Sequence, residues 1–220
     1  MQQSITKLCI FENVLPPALV EKAYEVLQAQ RIPAGALYLP IEYITCEERL
    51  LTELSRCVAG PTAAVLATYC SSLYQCATSV FGQQLDGLEI WTNYSIQCDR
   101  NVWLHVDNDE IHRKQTGELR HPLFGSVLHL GPMSGMRGGE TFFCLSEEPN
   151  LENIIFKTLP WSLVSTVVMD IGTMVPFRVG RTILFDGRLP HCVAPFTFED
   201  EPKPRLTLLV NGWLSRIKLA

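Results

Sequence analysis

Residues 88–96, Leu88-Glu89-Ile90-Trp91-Thr92-Asn93-Tyr94-Ser95-Ile96, begin the part of the chain that decides the fold. From here on, short runs rich in β-branched and aromatic residues alternate with Gly and Pro, a rhythm typical of an all-β sandwich or barrel. The predicted strands are residues 88–96, 102–106, 126–130, 140–144, 165–169, 182–185 and 206–211.

The first 87 residues show helical periodicity instead. After Pro16-Pro17, which a first helical turn tolerates, Leu19, Ala23 and Leu27 share one face. Residues 57–85 carry no charged side chain. Their length could span a bilayer, but repeated Ser, Thr and Gln and the lack of a basic flank favour a buried helix or a homodimer interface over a membrane helix.

The simplest architecture is mostly β with supporting helices, within a single domain spanning residues 1–220. A mainly helical support region covers residues 1–87, and a jelly-roll-like catalytic core covers residues 88–213. The irregular segment 145–179 is expected to be either a lid over the site or a surface insertion.

Composition narrows the functional classes. The net charge is −5 and Lys and Arg form no dense cluster, which argues against a nucleic-acid partner. The N-terminus lacks the basic-then-apolar layout of a signal peptide, so a cytoplasmic location is expected. The eight cysteines contain no C-x-x-C pair, which favours reduced thiols over a zinc site.

The segment Trp103-Leu104-His105-Val106-Asp107 holds the first candidate ligands. Because side chains alternate across a strand, His105 and Asp107 project to one face, and Trp103 shares it. His191, after the apolar run 183–185, supplies a third ligand. Two imidazoles and a carboxylate cap one face of an octahedral ion, which points to non-heme Fe(II) oxygen chemistry. The remaining histidines have no carboxylate two residues later and are expected to be ordinary surface or core residues, namely His112, His121 and His129.

An H-x-D pair alone is common by chance, so the interpretation depends on a further candidate, Arg205. In the run that follows, Arg205, Thr207, Leu209 and Asn211 share one parity. A guanidinium grips a carboxylate with a planar fork, and a neighbouring hydroxyl adds a hydrogen bond. Arg205 and Thr207 are therefore candidates for binding the far carboxylate of 2-oxoglutarate, and the Tyr94 hydroxyl is a third.

With these pieces in order, the chain resembles the Fe(II)/2-oxoglutarate-dependent oxygenase superfamily, nearest to its prolyl-4-hydroxylase-like branch. The resemblance covers about residues 88 to 213 and rests on 103–107, on Gly138-Gly139-Glu140-Thr141-Phe142-Phe143, on 180–185 leading to His191, and on Arg205-Leu206-Thr207. Two departures weaken the branch assignment: arginine stands at the anchor where that branch commonly has lysine, and the gap between Asp107 and His191 is long.

The resemblance implies a double-stranded β-helix (jelly-roll) core. It implies that His105, Asp107 and His191 bind Fe(II), that Arg205 anchors 2-oxoglutarate, and that Tyr94 and Thr207 support it. O2 would be the second co-substrate, with ascorbate as a supporting reductant. The implied activity is a dioxygenase that hydroxylates a C–H bond and releases succinate and CO2.

The substrate is expected to be a small amino-acid-like or natural-product molecule rather than a protein or peptide side chain, which is the alternative. Candidate substrate-contacting residues are Trp103, Asn93, Arg137 and Arg188. Two other classes stay open at this level. A non-catalytic cupin-like binding module shares the strand rhythm, and a Zn(II) hydrolase can use the same three ligands.

Overall fold

The computed structural model describes residues 7–96, 101–145, 156–168, 172–199, 201 and 203–217. Strands and helices alternate in the first part of the chain, and strands dominate the second. The elements are β1 (Leu8–Glu12), α1 (Pro17–Ala29), β2 (Leu37–Pro40), α2 (Ile41–Ile44), α3 (Glu47–Cys57), α4 (Gly60–Phe81), β3 (Gly87–Ser95), β4 (Asn101–Leu104), α5 (Glu110–Thr116), β5 (Phe124–Gly131), β6 (Met136–Gly138), β7 (Thr141–Cys144), β8 (Lys157–Pro160), α6 (Trp161–Val168), β9 (Gly172–Val175), β10 (Arg181–Asp186), β11 (His191–Val193), β12 (Phe196–Phe198) and β13 (Arg205–Trp213).

A six-stranded antiparallel sheet is the main layer, with strand order β1-β10-β5-β13-β3-β2. Three smaller antiparallel sheets accompany it: β11-β7-β9, β12-β6 and β4-β8. The expectation of a mostly β chain with supporting helices is confirmed.

The main sheet has a helical face and a site face. On β13, Leu206, Leu208 and Val210 point into the large apolar core that the sheet shares with α1, α3 and α4. The alternate residues of the same strand, from Arg205 to Asn211, line a cavity on the opposite face. The period of two in a strand therefore separates the fold-stabilising side chains from the candidate functional ones.

Helix α4 explains the uncharged segment. Much of the helix is buried in the chain's own core, and the hydroxyl of its fully buried Tyr69 lies 2.9 Å from Ser126 Oγ. The helix ends at Gly82, whose φ of 65° is a left-handed conformation that glycine adopts at little cost. In the described residues, no helix combines the length and hydropathy that a bilayer crossing requires. Burial of α4 within the chain is sufficient to explain why residues 57–85 carry no charge. A homodimer through these residues stays a prediction.

One expectation about elements needs correction. The predicted strand 165–169 is wrong where it is described, because residues 165–168 belong to α6. The mainly helical support region also contributes two strands, β1 and β2, to the edges of the main sheet. Of the segment 145–179, residues 146–155 and 169–171 lie outside the described residues. Its described parts include β8 and β9, which pair with β4 and β7, so a lid role stays a prediction.

Candidate metal centre

Two short strands bring the candidate histidines together. His105 follows β4 directly, and His191 is the first residue of β11. Their backbones exchange both hydrogen bonds, with His105 N donating to His191 O at 3.1 Å and His191 N to His105 O at 2.8 Å. The two imidazole centroids are 4.4 Å apart as a result.

Asp107 completes the cluster. Its Oδ1 lies 3.9 Å from the Nε2 atoms of both His105 and His191, and the three ligand atoms lie within 4.8 Å of one another. Asn211 donates a hydrogen bond to the carboxylate, and His121 Nδ1 donates to the Asp107 carbonyl at 2.8 Å. A Cβ added at Gly125 would lie 2.9 Å from Asp107 Oδ2, so glycine leaves the room that this side chain needs.

Backbone carbonyls fix the tautomers of both histidines. The Nδ1 of His105 lies 3.0 Å from Trp103 O, and the Nδ1 of His191 lies 2.9 Å from Leu189 O. Because a carbonyl only accepts, each Nδ1 carries the proton and each Nε2 offers its lone pair. Burial lowers the pKa of both imidazoles to about 4, so both are neutral at pH 7.

The donor set fits Fe(II). Neutral imidazoles and one carboxylate on a single face suit this ion and leave coordination positions open. Burial raises the pKa of Asp107, and a dication held between the three ligands would favour its ionised form. The geometry therefore provides an electrostatic reason for a cation at this point.

A cavity of about 260 Å³ extends from the three ligands along the site face of the main sheet. Val127 and Leu209 form part of an apolar wall of this cavity. Trp103, which also lines it, stacks on the His105 ring at a centroid distance of 4.1 Å. Arg205 lines the cavity at the far end of β13 from Asn211. One cavity thus contains a metal-ligand set and a cationic side chain.

Arg205 is buried and incompletely paired. Its side chain is 3% exposed, Nη2 donates to Gly139 O at 3.1 Å, and Nε has no partner. Within the described ranges Arg205 makes no salt bridge, and burial lowers its pKa to about 10. A buried guanidinium with donors to spare is suited to a carboxylate ligand, such as the far end of 2-oxoglutarate.

His129 and Thr141 are functional candidates that the sequence interpretation did not single out. His129 pairs directly with Thr207 across β5 and β13, is fully buried, and accepts from Arg178 N through Nδ1 at 3.1 Å. Its Nε2 must therefore carry the proton, and that atom has no hydrogen-bond partner among the described residues. The Thr141 hydroxyl, in the cavity wall, also has none in the described part of the chain. Burial and the positive charges of Arg205 and Arg181 lower the pKa of His129 to about 3.

The structure sorts the remaining candidates. Thr207, Trp103 and Asn93 line the cavity. Tyr94 does not reach it: the residue lies on the helical face of β3, where the Arg31 guanidinium stacks 3.4 Å above its ring. Arg137 is exposed and pairs with Glu199, and Arg188 forms a fork to Asp186, with a shortest distance of 2.6 Å. Neither arginine is among the residues that line the cavity, so their suggested substrate contacts are corrected.

Comparison with known proteins finds similarity in fold but none in sequence. No protein-family model and no curated protein sequence matches the chain. The solved structures that resemble it in fold include the following three. HygX from Streptomyces hygroscopicus, with nickel and 2-oxoglutarate bound, has a TM-score of 0.60 at 17% identity, covering 97% of this chain and 84% of that one. A Pseudomonas putida prolyl-4-hydroxylase has a TM-score of 0.53 at 11% identity, covering 97% and 90%. A Trichoplax adhaerens prolyl hydroxylase, in complex with a hypoxia inducible factor peptide, has a TM-score of 0.53 at 13% identity, covering 94% and 83%.

The chain therefore shares the fold of two prolyl hydroxylases and of HygX, which was solved with nickel and 2-oxoglutarate bound. Its His-Asp-His triad lies inside that fold with both Nε2 atoms available. The resemblance suggested by the sequence motifs is confirmed at the level of fold.

Proposed function

We propose that this protein is an Fe(II)- and 2-oxoglutarate-dependent dioxygenase that hydroxylates a C–H bond of a small amino-acid-like or natural-product substrate. One observation carries the proposal: the triad and the buried, under-paired Arg205 share a single cavity. The strands around this cavity are interpreted as the double-stranded β-helix of the superfamily.

In this proposal His105, Asp107 and His191 hold the iron. Bound there, Fe(II) would supply O2 activation coupled to the conversion of 2-oxoglutarate into succinate and CO2. The protein contributes neutral imidazoles that need no deprotonation at pH 7 and backbone contacts that keep both rings aimed at one point. It also excludes water with the apolar walls at Val127 and Leu209.

The far end of the cavity orients the co-substrate. Arg205 would bind the distal carboxylate of 2-oxoglutarate, and Thr207 lies two residues along the same strand face. His129 pairs with Thr207 from the neighbouring strand and carries its proton on Nε2, so we include it as a candidate donor for the carboxylate. Together these groups would turn the keto-acid end toward the iron ligands.

The cavity of about 260 Å³ adjoins a second cavity of about 350 Å³ that shares Asn93, Trp103 and Arg205 with it, and 2-oxoglutarate and a small substrate would share this space. A peptide side chain remains the second candidate, since the Trichoplax neighbour was solved with a peptide. A cytoplasmic location, a single domain and assistance by ascorbate stay predictions.

Anaerobic titration with Fe(II) and then 2-oxoglutarate tests the proposal. The wild-type protein should develop a weak visible charge-transfer band, which neither a zinc hydrolase nor a cupin-like module would show. Asp107→Ala should lose the band and all 2-oxoglutarate-dependent succinate release, because the carboxylate ligand is gone. The surface variant Glu199→Ala should keep both. No band in wild type, or normal succinate release by Asp107→Ala, would exclude the proposal.

A further inference from the structure

Glu89 places a carboxylate in the same cavity, beside the metal ligands. It lies on β3, where Glu89, Trp91 and Asn93 alternate along the cavity wall. Glu89 pairs directly with Asn211 on β13, and Asn211 bonds Asp107. The Glu89 side chain is thus one strand away from the residue that orients an iron ligand.

The Glu89 carboxylate is partly buried and has few partners. Trp213 Nε1 donates to Oε2 at 3.3 Å, and the Gly35 amide donates a second hydrogen bond. A carboxylate can accept about four hydrogen bonds, so acceptor positions remain. In the described ranges no Lys, Arg or His forms a salt bridge with Glu89. Burial, opposed by the Trp213 hydrogen bond and reinforced by Asp107 and Asp109, raises the pKa of Glu89 to about 7.

The other carboxylates nearby are already compensated. Glu110 also lines the cavity, but Arg113 Nη2 lies 2.7 Å from it and Asn108 Nδ2 donates at 3.0 Å. Asp107 would be neutralised by iron. Of the described carboxylates that line the cavity, Glu89 is the one that has no salt bridge with a cationic side chain and no role in the proposed iron site.

The charge balance of the loaded site shows what Glu89 lacks. The two positive charges of Fe(II) and the one of Arg205 equal the negative charges of Asp107 and doubly ionised 2-oxoglutarate. Ionised Glu89 would then stand uncompensated at a partly buried position in a cavity with apolar walls, which is unfavourable unless a cation arrives. The remaining participant, the substrate, is the natural source of that cation.

We propose that Glu89 is a specificity-determining residue that binds a protonated amine of the small substrate. The assignment rests on the proposed function. Arg205 and the Asn211–Glu89 pair stand six residues apart along β13, about 20 Å of extended strand. This separation directs an amine to the Glu89 end and a carboxylate to the Arg205 end.

The test uses the full-length, Fe(II)-loaded protein with 2-oxoglutarate and measures stimulated succinate release. The panel contains small amino acids, amino alcohols and amine-bearing sugars, each paired with its N-acetyl counterpart, which keeps the carbon skeleton and removes the charge. At least one free amine should stimulate release more than its N-acetyl partner. Glu89→Gln should raise the KM for that amine about tenfold or more, because a hydrogen bond to a charged group is lost. Glu199→Gln removes a carboxylate that does not line the cavity; it is the matched control and should change the same KM less than about twofold.

The anaerobic charge-transfer band separates the outcomes. Glu89→Gln should keep the band, which shows that its iron and 2-oxoglutarate sites are intact. If wild type forms the band but no amine exceeds its N-acetyl partner, or if both Gln variants behave alike, Glu89 has no such role and the proposed function still stands. If wild type forms no band, the proposed function itself fails.

Discussion

Arg205 illustrates why single residues in this cavity carry functional information. A guanidinium that is 3% exposed, with an unpartnered Nε, is expensive to bury unless something negative joins it. Within the described ranges no carboxylate forms a salt bridge with it. The stacking of the guanidinium above Phe177 at 5.2 Å offsets only part of that penalty. Glu140 lies beyond salt-bridge distance but its charge also acts on Arg205, and in the proposed function the distal carboxylate of 2-oxoglutarate adds the direct partner.

Arg205→Ala should raise the 2-oxoglutarate concentration needed for half-maximal succinate release about tenfold to hundredfold, because the charge-assisted hydrogen bonds are lost. Arg205→Lys should give a smaller rise, since it keeps the charge but not the planar fork. Arg137→Ala removes an exposed arginine outside the cavity and should leave the requirement unchanged. An unaltered requirement in Arg205→Ala would remove Arg205 from its role.

At the scale of elements, the sequence predicts that alternate residues of a strand share one face. It does not predict which of the two alternating sets faces the cavity. The shared parity of Arg205, Thr207, Leu209 and Asn211 was visible in the sequence, and all four line the cavity. Tyr94 was assigned to the wrong face, because pairing with Leu206 sets the phase of β3 and this partner is over a hundred residues away. The expectation that His129 is a surface or core residue agrees with its full burial, and its position beside Thr207 follows only from the pairing of β5 with β13.

The error over residues 165–169 has a different cause. Ser165-Thr166-Val167-Val168 is rich in β-branched residues and resembles a strand, yet it lies in α6. Strand propensity reflects packing context more than backbone preference, so tertiary contacts overrule it readily. The hydroxyl groups of Ser165 and Thr166 both donate to Ser162 O, at 3.1 and 2.8 Å, which suits a helical turn.

The turn before β7 positions Arg205 and allows a matched test. Gly139 has a φ of 76°, accepts a hydrogen bond from Arg205, and would place an added Cβ 3.2 Å from Arg205 Nε. Gly135 has a similar φ of 80° but nothing within 4 Å of an added Cβ. Both Ala variants should lose about 1 to 2 kcal/mol of unfolding free energy through backbone strain. Only Gly139→Ala should also raise the 2-oxoglutarate requirement, several-fold, in succinate assays.

Chemical denaturation and the succinate assay together decide the outcome for the two glycines. Equal 2-oxoglutarate requirements in the two variants would mean that the Gly139 carbonyl and its close approach do not help to hold Arg205. A rise in the Gly135→Ala variant would mean that backbone strain alone disturbs the site.

For the whole molecule, folding stability depends on pH because the site places titratable side chains against the sheet, where their pKa values are shifted. Three buried histidines, His105, His129 and His191, have lowered pKa values, whereas Glu89 and Asp107 have raised ones. Below about pH 6.5 these histidines bind protons in the unfolded chain but stay neutral in the folded protein. Acid therefore lowers the free energy of unfolding. The two carboxyl groups act in the opposite direction, because the folded protein takes up their protons first. The histidine and carboxyl contributions to the pH dependence of the unfolding free energy partly cancel. The contribution of one residue is therefore measured as the difference in unfolding free energy between wild type and a variant of that residue.

His129→Gln isolates one of these contributions. The pKa of His129 is about 3 in the folded protein, and burial is the main cause. Between about pH 6 and pH 4, wild type should therefore lose about 1.4 kcal/mol of unfolding free energy per pH unit more than the variant does. Urea denaturation of the metal-free proteins across this range measures the difference. Parallel curves would mean that His129 accepts a proton in the folded state, and its Nε2 could not then be assigned as the neutral donor beside Arg205.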